Sequence, residues 1–252
     1  MQELLALAVR LAADAAEIIR DIRAAGFAVS AKADETPVTM ADMRAEALIT
    51  AGLRAASPGI PVVAEEEVAA GRMIMPGPRY WLVDPLDGTR EFAAGRAEFA
   101  VNIGLIENGV PVLGAVASPA LDELHFGIVG QGAWRRRGGV EERIAARREP
   151  PEGLVVMASR HYADAPELAA LLGQYKIAAL TNIGSALKFL RLAEGVADFY
   201  PRLGRTMEWD TAAPQAVLEA AGGSVRTVDG APLGYGKPGW ENPHFICTGC
   251  PE

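Results

Sequence analysis

The apolar and polar positions at the start of the chain predict two helices joined by a loop. Apolar residues recur at helical spacing over residues 3–25, and Gly26 ends this helix. Thr39 is a suitable N-cap for the second helix, because Asp42 stands three residues later in a capping-box pattern. The second helix is expected to run to about Ala56.

Short apolar runs separated by turn residues predict strands beyond the second helix. One short strand leads into the acidic run at 65–67. The aromatic and branched run at 80–83 predicts a buried strand that ends at Asp84, because Pro85 cannot continue a central strand. Two hairpins are predicted after it, and the segment 146–153 is the best candidate for a linker.

Strands and helices alternate in the second half of the chain. Helices are predicted near 166–173, 185–194 and 210–221, with apolar strands between them and a last strand near the C-terminus. No Gly-rich nucleotide fingerprint stands between a predicted strand and a predicted helix. The pattern predicts an N-terminal α+β subdomain over residues 1–148 and a C-terminal α/β subdomain over 149–252, which share one cleft.

Composition narrows the classes of function. The chain has 252 residues, 50% of them hydrophobic, and a net charge of −8, so we expect a folded core and no binding to nucleic acid polymers. The N-terminus lacks the features of a signal peptide, and no apolar run approaches the ~20 residues that a membrane span needs. A soluble cytoplasmic protein is expected, and peripheral association with the inner membrane stays open. Cys247 and Cys250 are interpreted as a buried thiol and a chance neighbour.

The segment D-P-L-D-G-T at 84–89 carries the densest candidate chemistry. Two carboxylates at a buried strand end repel each other and are costly to desolvate, so such a pair is usually neutralised by a cation. Mg²⁺ prefers oxygen ligands and commonly takes carboxylates together with substrate phosphate. The backbone N–H groups of Gly88 and Thr89 are expected at a helix start, where anions bind. An ordinary turn rich in Asp, Pro and Gly is the alternative explanation.

Further acidic residues stand at the ends of other predicted elements. The run that begins at Glu65 cannot direct all three side chains to one site if it is extended, so an acidic surface is the alternative. Asp210 begins a helix beside the bulky Trp209, and the small residues at 211–213 let that helix end approach another backbone; a plain N-cap is the alternative. The acids that can form one site for two or three Mg²⁺ ions are Glu65, Asp84, Asp87 and Asp210, with Asp42 as a further member.

The order and spacing of these motifs resemble those of a known family. The acids at 42 and 65–66, D-P-L-D-G-T at 84–89 and W-D-T-A-A at 209–213 are similar to the signature of the Mg²⁺-dependent, lithium-sensitive phosphomonoesterases of the inositol monophosphatase superfamily. Longer stretches, such as "YWLVDPLDGTREF", "EFAVNIGLIENGVPVLGAV" and "GSALKFLRLAEGVADFYPRLG", are closest to its bacterial CysQ-type 3′(2′),5′-bisphosphate nucleotidases. This resemblance covers nearly the full length.

The resemblance implies a fold and a reaction. The implied fold is α+β, a layered αβαβα sandwich like that of inositol monophosphatase and fructose-1,6-bisphosphatase. The implied reaction is hydrolysis of the 3′-phosphate of adenosine 3′,5′-bisphosphate to AMP, a step of sulfur metabolism that removes a by-product of sulfate assimilation. Lithium would inhibit it if Li⁺ replaced one Mg²⁺ and held the product phosphate in place.

The resemblance also implies roles for individual residues. The implied metal ligands are Glu65, Asp84, Asp87, Asp210 and the backbone carbonyl of Leu86. The implied catalytic residues are Asp42, Thr89 and Glu65, where Asp42 and Thr89 orient and deprotonate the attacking water. Gly88 and Thr89 are the implied phosphate-binding residues. The implied substrate contacts are Gly184, Ser185, Lys188 and Glu208.

Two alternatives remain open from the sequence. Glu208 stands where related phosphatases read the alcohol of an inositol or sugar phosphate, so such a substrate is the alternative with the same metal mechanism. A sensor that binds metal or phosphate without turnover is less favoured, because binding alone needs no water-activating pair. The chain is expected to be a monomer or a homodimer.

Overall fold

The sequence folds into helices and strands close to the predicted positions. The computed structural model describes residues 1–27, 29–31, 37–72, 74–159 and 166–250. Within these ranges the helices are α1 (Gln2–Ala25), α2 (Met40–Ala56), α3 (Glu65–Ala69), α4 (Thr89–Ala93), α5 (Pro166–Leu172), α6 (Leu187–Ala193) and α7 (Glu208–Ala220). The strands of the first half are β1 (Val29–Ala31), β2 (Pro37–Thr39), β3 (Val62–Ala64), β4 (Arg79–Asp87), β5 (Ala100–Glu107), β6 (Val110–Ser118), β7 (Glu123–Ile128), β8 (Gly132–Arg137) and β9 (Val140–Ile144). Those of the second half are β10 (Leu154–Ala158), β11 (Ile177–Asn182), β12 (Phe199–Arg202), β13 (Ser224–Thr227) and β14 (Phe245–Thr248).

Two main sheets organise the chain. The first has seven strands in the order β3-β4-β5-β6-β7-β8-β9, all antiparallel to their neighbours except for the parallel pair β3 and β4. The second has five strands in the order β11-β10-β12-β14-β13, parallel from β11 to β12 and antiparallel beyond. Residues 145–153 connect the two sheets, in the region predicted as a linker.

Helices and sheets alternate in five layers. Helices α1 and α2 pack on one face of the seven-stranded sheet, where Val83, Val101 and Ile103 join their core. Because side chains alternate along a strand, Ala100 and Val116 face the other side, where they pack with α6 and α7. These two helices also contact the five-stranded sheet, whose outer face is covered by α5. The fold is thus the expected α+β, layered αβαβα sandwich.

Helix α7 binds the two halves together. It lies after the connecting segment, yet it packs against β4, β5, β6 and β7 of the first sheet as well as against β13. The predicted division at residue 148 therefore stays a prediction. Among the described residues, no helix combines the length and the apolar character required to cross a membrane.

Candidate active site

A bulge in β4 brings Asp84 and Asp87 to the same region. Asp84 pairs with Asn102 on β5, whereas Asp87 pairs with Ala100, so β4 carries one extra residue over this step. In a regular strand, residues three apart point to opposite faces. The extra residue shifts the alternation by one position, so that Asp84 and Asp87 can face the same side. The prediction that the strand ends at Asp84 is wrong: β4 continues to Asp87, because Pro85 sits where the bulge already interrupts the ladder.

Glu65 reaches the same end of the sheet by a change from strand to helix. Strand β3 ends at Ala64, which pairs with Val83, so Glu65 follows beside Asp84. The run at 65–67 is helical in α3, which removes the strict alternation expected of an extended acidic run. The first-turn N–H groups of α3 are held by Glu46, whose carboxylate accepts from the Glu66 and Glu67 amides at 2.7 and 2.9 Å.

Asp210 lies in the first turn of α7, which packs on the face of the seven-stranded sheet opposite to α1 and α2. Its Oδ2 accepts from the Met207 amide at 2.9 Å. The helix lies very close to the sheet, because a Cβ at Gly104 would be 2.8 Å from Ala213 N and one at Gly114 would be 2.2 Å from Ala213 O. The predicted close approach of this small-residue helix end is confirmed.

The four carboxylates Glu65, Asp84, Asp87 and Asp210 repel one another. Burial raises the pKa of Asp84 well above its ordinary value, and the charges of the other three raise it further. Burial, followed by the charges of Asp87 and Glu65, raises the pKa of Asp210 to about 8. Such a group of hard oxygen donors with unfavourable charge is a fitting environment for a divalent cation.

Asp87 is oriented by the segment before α6. Its Oδ2 accepts from the Ser185 hydroxyl and from the Ala186 amide, both at 2.5 Å. Burial raises the pKa of Asp87, and the hydrogen bond from Ser185 and the charge of Lys188 act in the opposite direction. Gly184 fits closely here, since an added Cβ would be 3.0 Å from Glu91 Cγ.

Asp42 and Thr89 form the pair that the resemblance implied. Thr89 Oγ1 lies 3.0 Å from both Asp42 Oδ1 and Leu86 O, so its single proton can go to either acceptor. Asp42 Oδ2 accepts from the Thr39 amide at 2.8 Å and the Thr39 hydroxyl at 2.7 Å, within the predicted capping box. Burial raises the pKa of Asp42, although the hydrogen bonds from Thr39 and Thr89 act to lower it.

Most of the predicted site residues meet at one cleft of about 580 Å³. The predicted site residues that line it are Glu65, Asp87, Gly88, Thr89, Gly184, Ser185, Lys188 and Asp210. Asp42 and Asp84 are each 1% exposed and lie beneath this lining. Gly88 has a φ of 91°, and an added Cβ would be 2.9 Å from the carbonyl oxygen of Glu98, so glycine suits this position.

Two predicted substrate contacts point elsewhere. Glu208 is fully buried, and its carboxylate accepts from the Gly236 and Lys237 amides at 2.8 Å each and pairs with the Lys237 ammonium at 2.7 Å. It does not belong to the described residues that line the cleft. Lys188 does line the cleft, but its Nζ donates to backbone carbonyls of its own chain segment.

A second cluster of metal-ligand side chains is already neutralised. Ligand atoms of Glu123, His125 and Glu194 lie within 4.8 Å of one another. However, Arg191 donates to both carboxylates at 2.8 Å, and Arg135 also reaches Glu194, at 3.2 Å. We interpret this cluster as an ion-pair network that joins β7 to α6, because it lacks the excess of negative charge that a cation would compensate.

Two residues that shape the site, Glu46 and Arg202, were not predicted from the sequence. Glu46 was not singled out, although its position one turn after Asp42 on the buried face of α2 is a signal for a functional carboxylate. Arg202, at the end of β12, lines the cleft together with Arg205. A basic residue directly after a buried strand segment was the available signal.

Known proteins resemble this chain over most of its length. It is 45% identical to the 3′(2′),5′-bisphosphate nucleotidase CysQ of Salmonella typhimurium and 43% identical to that of Shigella flexneri, each over 218 residues, which cover 86% of this chain and 87% of the relative. The solved structure of CysQ from Bacteroides thetaiotaomicron matches with a TM-score of 0.84 and 34% identity, over 100% of this chain and 99% of that one.

The likeness extends to other solved structures and to a family model. An inositol monophosphatase from Anabaena matches with a TM-score of 0.76 and 29% identity, over 98% of this chain and 90% of that one. The model that describes the inositol monophosphatase family matches residues 1–246. The chain belongs to the inositol monophosphatase family.

Proposed function

We propose that this chain is a Mg²⁺-dependent phosphomonoesterase that hydrolyses the 3′-phosphate of adenosine 3′,5′-bisphosphate to AMP and phosphate. The observation that carries the proposal is the Asp42–Thr89 pair beside four mutually repelling carboxylates at one cleft. The 43–45% identity to nucleotidases named CysQ supports the choice of substrate.

The cation site is proposed from the donors that converge on the cleft. Glu65, Asp84, Asp87, Asp210 and the carbonyl oxygen of Leu86 would hold two or three Mg²⁺ ions. Bound Mg²⁺ would supply positive charge and Lewis acidity to the attacking water and to the leaving oxygen. The raised pKa values of Asp84 and Asp210 in the metal-free protein mean that metal binding displaces protons.

The attacking water is positioned by Thr89. When the Thr89 hydroxyl donates its proton to Asp42 Oδ1, its lone pairs are free to accept a hydrogen bond from water in the cleft. Asp42 is fixed by two bonds from Thr39 and by burial, so it presents Oδ1 to Thr89 in a constant orientation. The proton lost by the water can pass through Thr89 to Asp42, whose raised pKa favours its acceptance.

The cleft suits a small anionic substrate with a second phosphate. Its volume of about 580 Å³ lies within the ~300–1,000 Å³ of typical small-molecule sites. Arg202 at the end of β12 and Arg205 on the loop that follows also line the cleft. Guanidinium groups match phosphate geometry, so these two are the proposed partners of the 5′-phosphate.

An inositol or sugar phosphate is less favoured as the substrate. The sequence-based reason for it was Glu208, and that carboxylate is buried and bound to the backbone at Gly236 and Lys237. It cannot read a substrate alcohol without giving up these contacts. The shared metal mechanism would be the same for either substrate.

The proposal is tested by phosphate release from adenosine 3′,5′-bisphosphate, inositol 1-phosphate and fructose 1,6-bisphosphate at matched concentrations. Each is assayed with Mg²⁺, without it, and with Mg²⁺ plus Li⁺. The variant Asp87→Asn removes a proposed metal ligand, and Asp14→Asn on the exposed surface of α1 is the matched control. We expect phosphate release to be fastest from the nucleotide, to require Mg²⁺ and to be inhibited by Li⁺. This activity should be lost in Asp87→Asn and kept in Asp14→Asn. A preference for inositol 1-phosphate would refute the nucleotide assignment, and Mg²⁺ binding without turnover would refute hydrolysis.

A further inference from the structure

Glu46 is a buried carboxylate that the proposed reaction does not use. The residue is 5% exposed and lies on α2, one turn after Asp42. Removing a carboxylate from water is costly unless its oxygens find hydrogen-bond donors. Here the donors belong to another helix, because Oε2 accepts from the Glu66 amide at 2.7 Å and Oε1 accepts from the Glu67 amide at 2.9 Å. Both oxygens of Glu46 are therefore directed at the first turn of α3.

The first turn of α3 depends on this distant carboxylate. The N–H groups in the first turn of a helix are commonly satisfied by the side chain of the N-cap residue. In α3 that residue is Ala64, whose methyl group cannot accept a hydrogen bond. A carboxylate on α2 is suited to the same task, because each of its two oxygens can accept from a different amide. Glu46 therefore determines where α3 begins relative to α2.

The start of α3 is also the position of a proposed metal ligand. Glu65 is the first residue of this helix, directly before the two amides that Glu46 binds, and it lines the cleft. Burial is the main cause of the raised pKa values of Asp84 and Asp210, and the charge of Glu65 raises both further, so its carboxylate lies near theirs. Pairing of β3 with β4 fixes the backbone before Glu65, and the bonds to Glu46 fix the backbone after it.

A second link joins the same two helices without touching the first-turn amides. Arg54, in the last turn of α2, donates to the two carboxylate oxygens of Glu67 at 2.8 and 2.6 Å, and Arg72 also donates to this carboxylate, at 2.7 Å. This link holds the side chain of Glu67, whereas Glu46 holds the backbone. The two links can therefore be broken separately.

We infer that Glu46 is a positioning residue that fixes Glu65 at the cation site by holding the backbone at the start of α3. This inference rests on the proposed role of Glu65 as a metal ligand. It gives α2 a second contribution to the site, because Asp42, one turn earlier on the same helix, accepts from the Thr89 hydroxyl at 3.0 Å. One helix then sets the position of a cation ligand relative to the pair that orients the attacking water.

Glu46→Gln tests this role through metal binding. The variant keeps one acceptor oxygen but places an NH₂ group against a backbone N–H, so one of the two hydrogen bonds is lost. Loss of an outer contact that orients a metal ligand typically weakens metal binding by about 10–100-fold. We therefore expect Mn²⁺ affinity, measured by electron paramagnetic resonance without substrate, to fall by about this factor.

Glu67→Gln is the matched control. It removes one negative charge from α3 itself and weakens the link to Arg54, but it leaves both first-turn amides bonded to Glu46. Its Mn²⁺ affinity should stay near that of wild type. Equal losses in Glu46→Gln and Glu67→Gln would overturn the inference, because they would trace the effect to charge or to the general attachment of α3. If Glu46→Gln does not fold, Glu46→Asp carries the same comparison, since it keeps the charge but is one methylene too short to hold both amides.

The double variant with Glu65→Gln shows whether Glu46 acts through Glu65. The other three carboxylates remain in this background, so Mn²⁺ binding stays measurable. Adding Glu46→Gln should then lower Mn²⁺ affinity little or no further, because the ligand that Glu46 orients has already lost its charge. A further fall as large as that of Glu46→Gln alone would mean that Glu46 acts independently of Glu65, and would overturn the inference.

Failure of the proposed hydrolysis would give a different result. Wild-type protein that binds Mn²⁺ but releases no phosphate from adenosine 3′,5′-bisphosphate would refute the reaction and leave this metal-binding comparison intact. A Glu65→Gln variant with the Mn²⁺ affinity of wild type would instead overturn the inference, because Glu65 would then not be a ligand.

Discussion

Replacing Gly114 by alanine tests how strictly the position of α7 controls the site. Gly114 lies on β6 beneath the backbone of Ala213, and an added Cβ would be 2.2 Å from Ala213 O and 2.9 Å from its carbonyl carbon. Ordinary van der Waals contact begins at 3.4 Å, so the carbonyl has to retreat by about 1.2 Å, the difference between these two distances. The neighbouring atoms are backbone, which cannot rotate away as a flexible side chain can.

The expected cost follows from this displacement. Overpacking of a well-packed region costs about 1–3 kcal/mol, which is less than the ~5–15 kcal/mol stability of a typical domain, so the variant should fold. Its Tm should fall by about 2–12 °C, since each kcal/mol shifts a chain of this size by ~2–4 °C. Asp210 lies one turn before Ala213 on the same helix, so its carboxylate moves relative to Asp84 and Asp87. A misplacement of ~1 Å can cost ~100-fold in rate, and we expect a loss in kcat/KM of that order.

Calorimetry and steady-state phosphate release measure the two effects separately. Kinetics are recorded well below the Tm of every variant, so that partial unfolding does not lower the rate. Gly59→Ala is the matched control, because an added Cβ there meets no atom within 4 Å. If Gly114→Ala matched Gly59→Ala in both Tm and kcat/KM, the close approach of α7 would not control the geometry of the site.

Three further predictions concern single side chains. Thr89→Val should lower kcat for phosphate release by about 10²–10⁴-fold, because it removes the hydroxyl that links the attacking water to Asp42 Oδ1, and Thr89→Ser should retain most activity. Equal losses in both variants would contradict this role. Burial raises the pKa of Glu46 to about 7, above its unfolded value of 4.5, so its contribution to stability is present below about pH 4.5 and is lost as the pH rises through 7. Urea unfolding of the metal-free protein should show that the free energy of unfolding falls less between pH 5 and 8 in Glu46→Gln than in wild type. An equal fall in both proteins would contradict this prediction. Burial opposes ionisation of Glu194, but its bonds from His125 and Arg191 outweigh this and lower its pKa to about 2, so its contribution is present above about pH 4.5 and is lost as the pH falls toward 2. Glu194→Gln should lower the free energy of unfolding at pH 7 by about 3–5 kcal/mol, measured by urea unfolding. The free energy of unfolding should also fall less between pH 4.5 and 2 in this variant than in wild type.

Much of the fold was predictable because its signals are local. The capping box at Thr39 and Asp42 fixes where α2 begins, since both partners lie within one turn. The small residues after Trp209 predicted a close backbone approach, and the glycines of β5 and β6 provide it. The five-layer arrangement came from the family resemblance, because periodicity alone does not say which faces of the sheets the helices cover.

Side-chain direction was the part that the sequence could not determine. Asp84 and Asp87 meet only because β4 carries a bulge, and an insertion of one residue into a ladder depends on pairing with a distant strand. Glu208 and Asp210 are both first-turn acids of α7, but residues two apart on a helix point to nearly opposite sides. One therefore binds the backbone at Gly236 while the other lies at the cleft.

Hydrogen bonds from backbone amides orient three of the four carboxylates at the site. One oxygen each of Asp84, Asp87 and Asp210 accepts a hydrogen bond from a nearby backbone amide, and Asp87 also accepts one from Ser185. Backbone donors that belong to a bulge, a turn and a helix start cannot rotate away when the charge changes. Burial, followed by the charges of the neighbouring acids, raises the pKa values of Asp84 and Asp210, so these two carboxylates bind protons more readily than isolated carboxylates do. Cation binding should then raise stability while changing the backbone little, since its main effect is to replace protons within a geometry that the fold has already fixed.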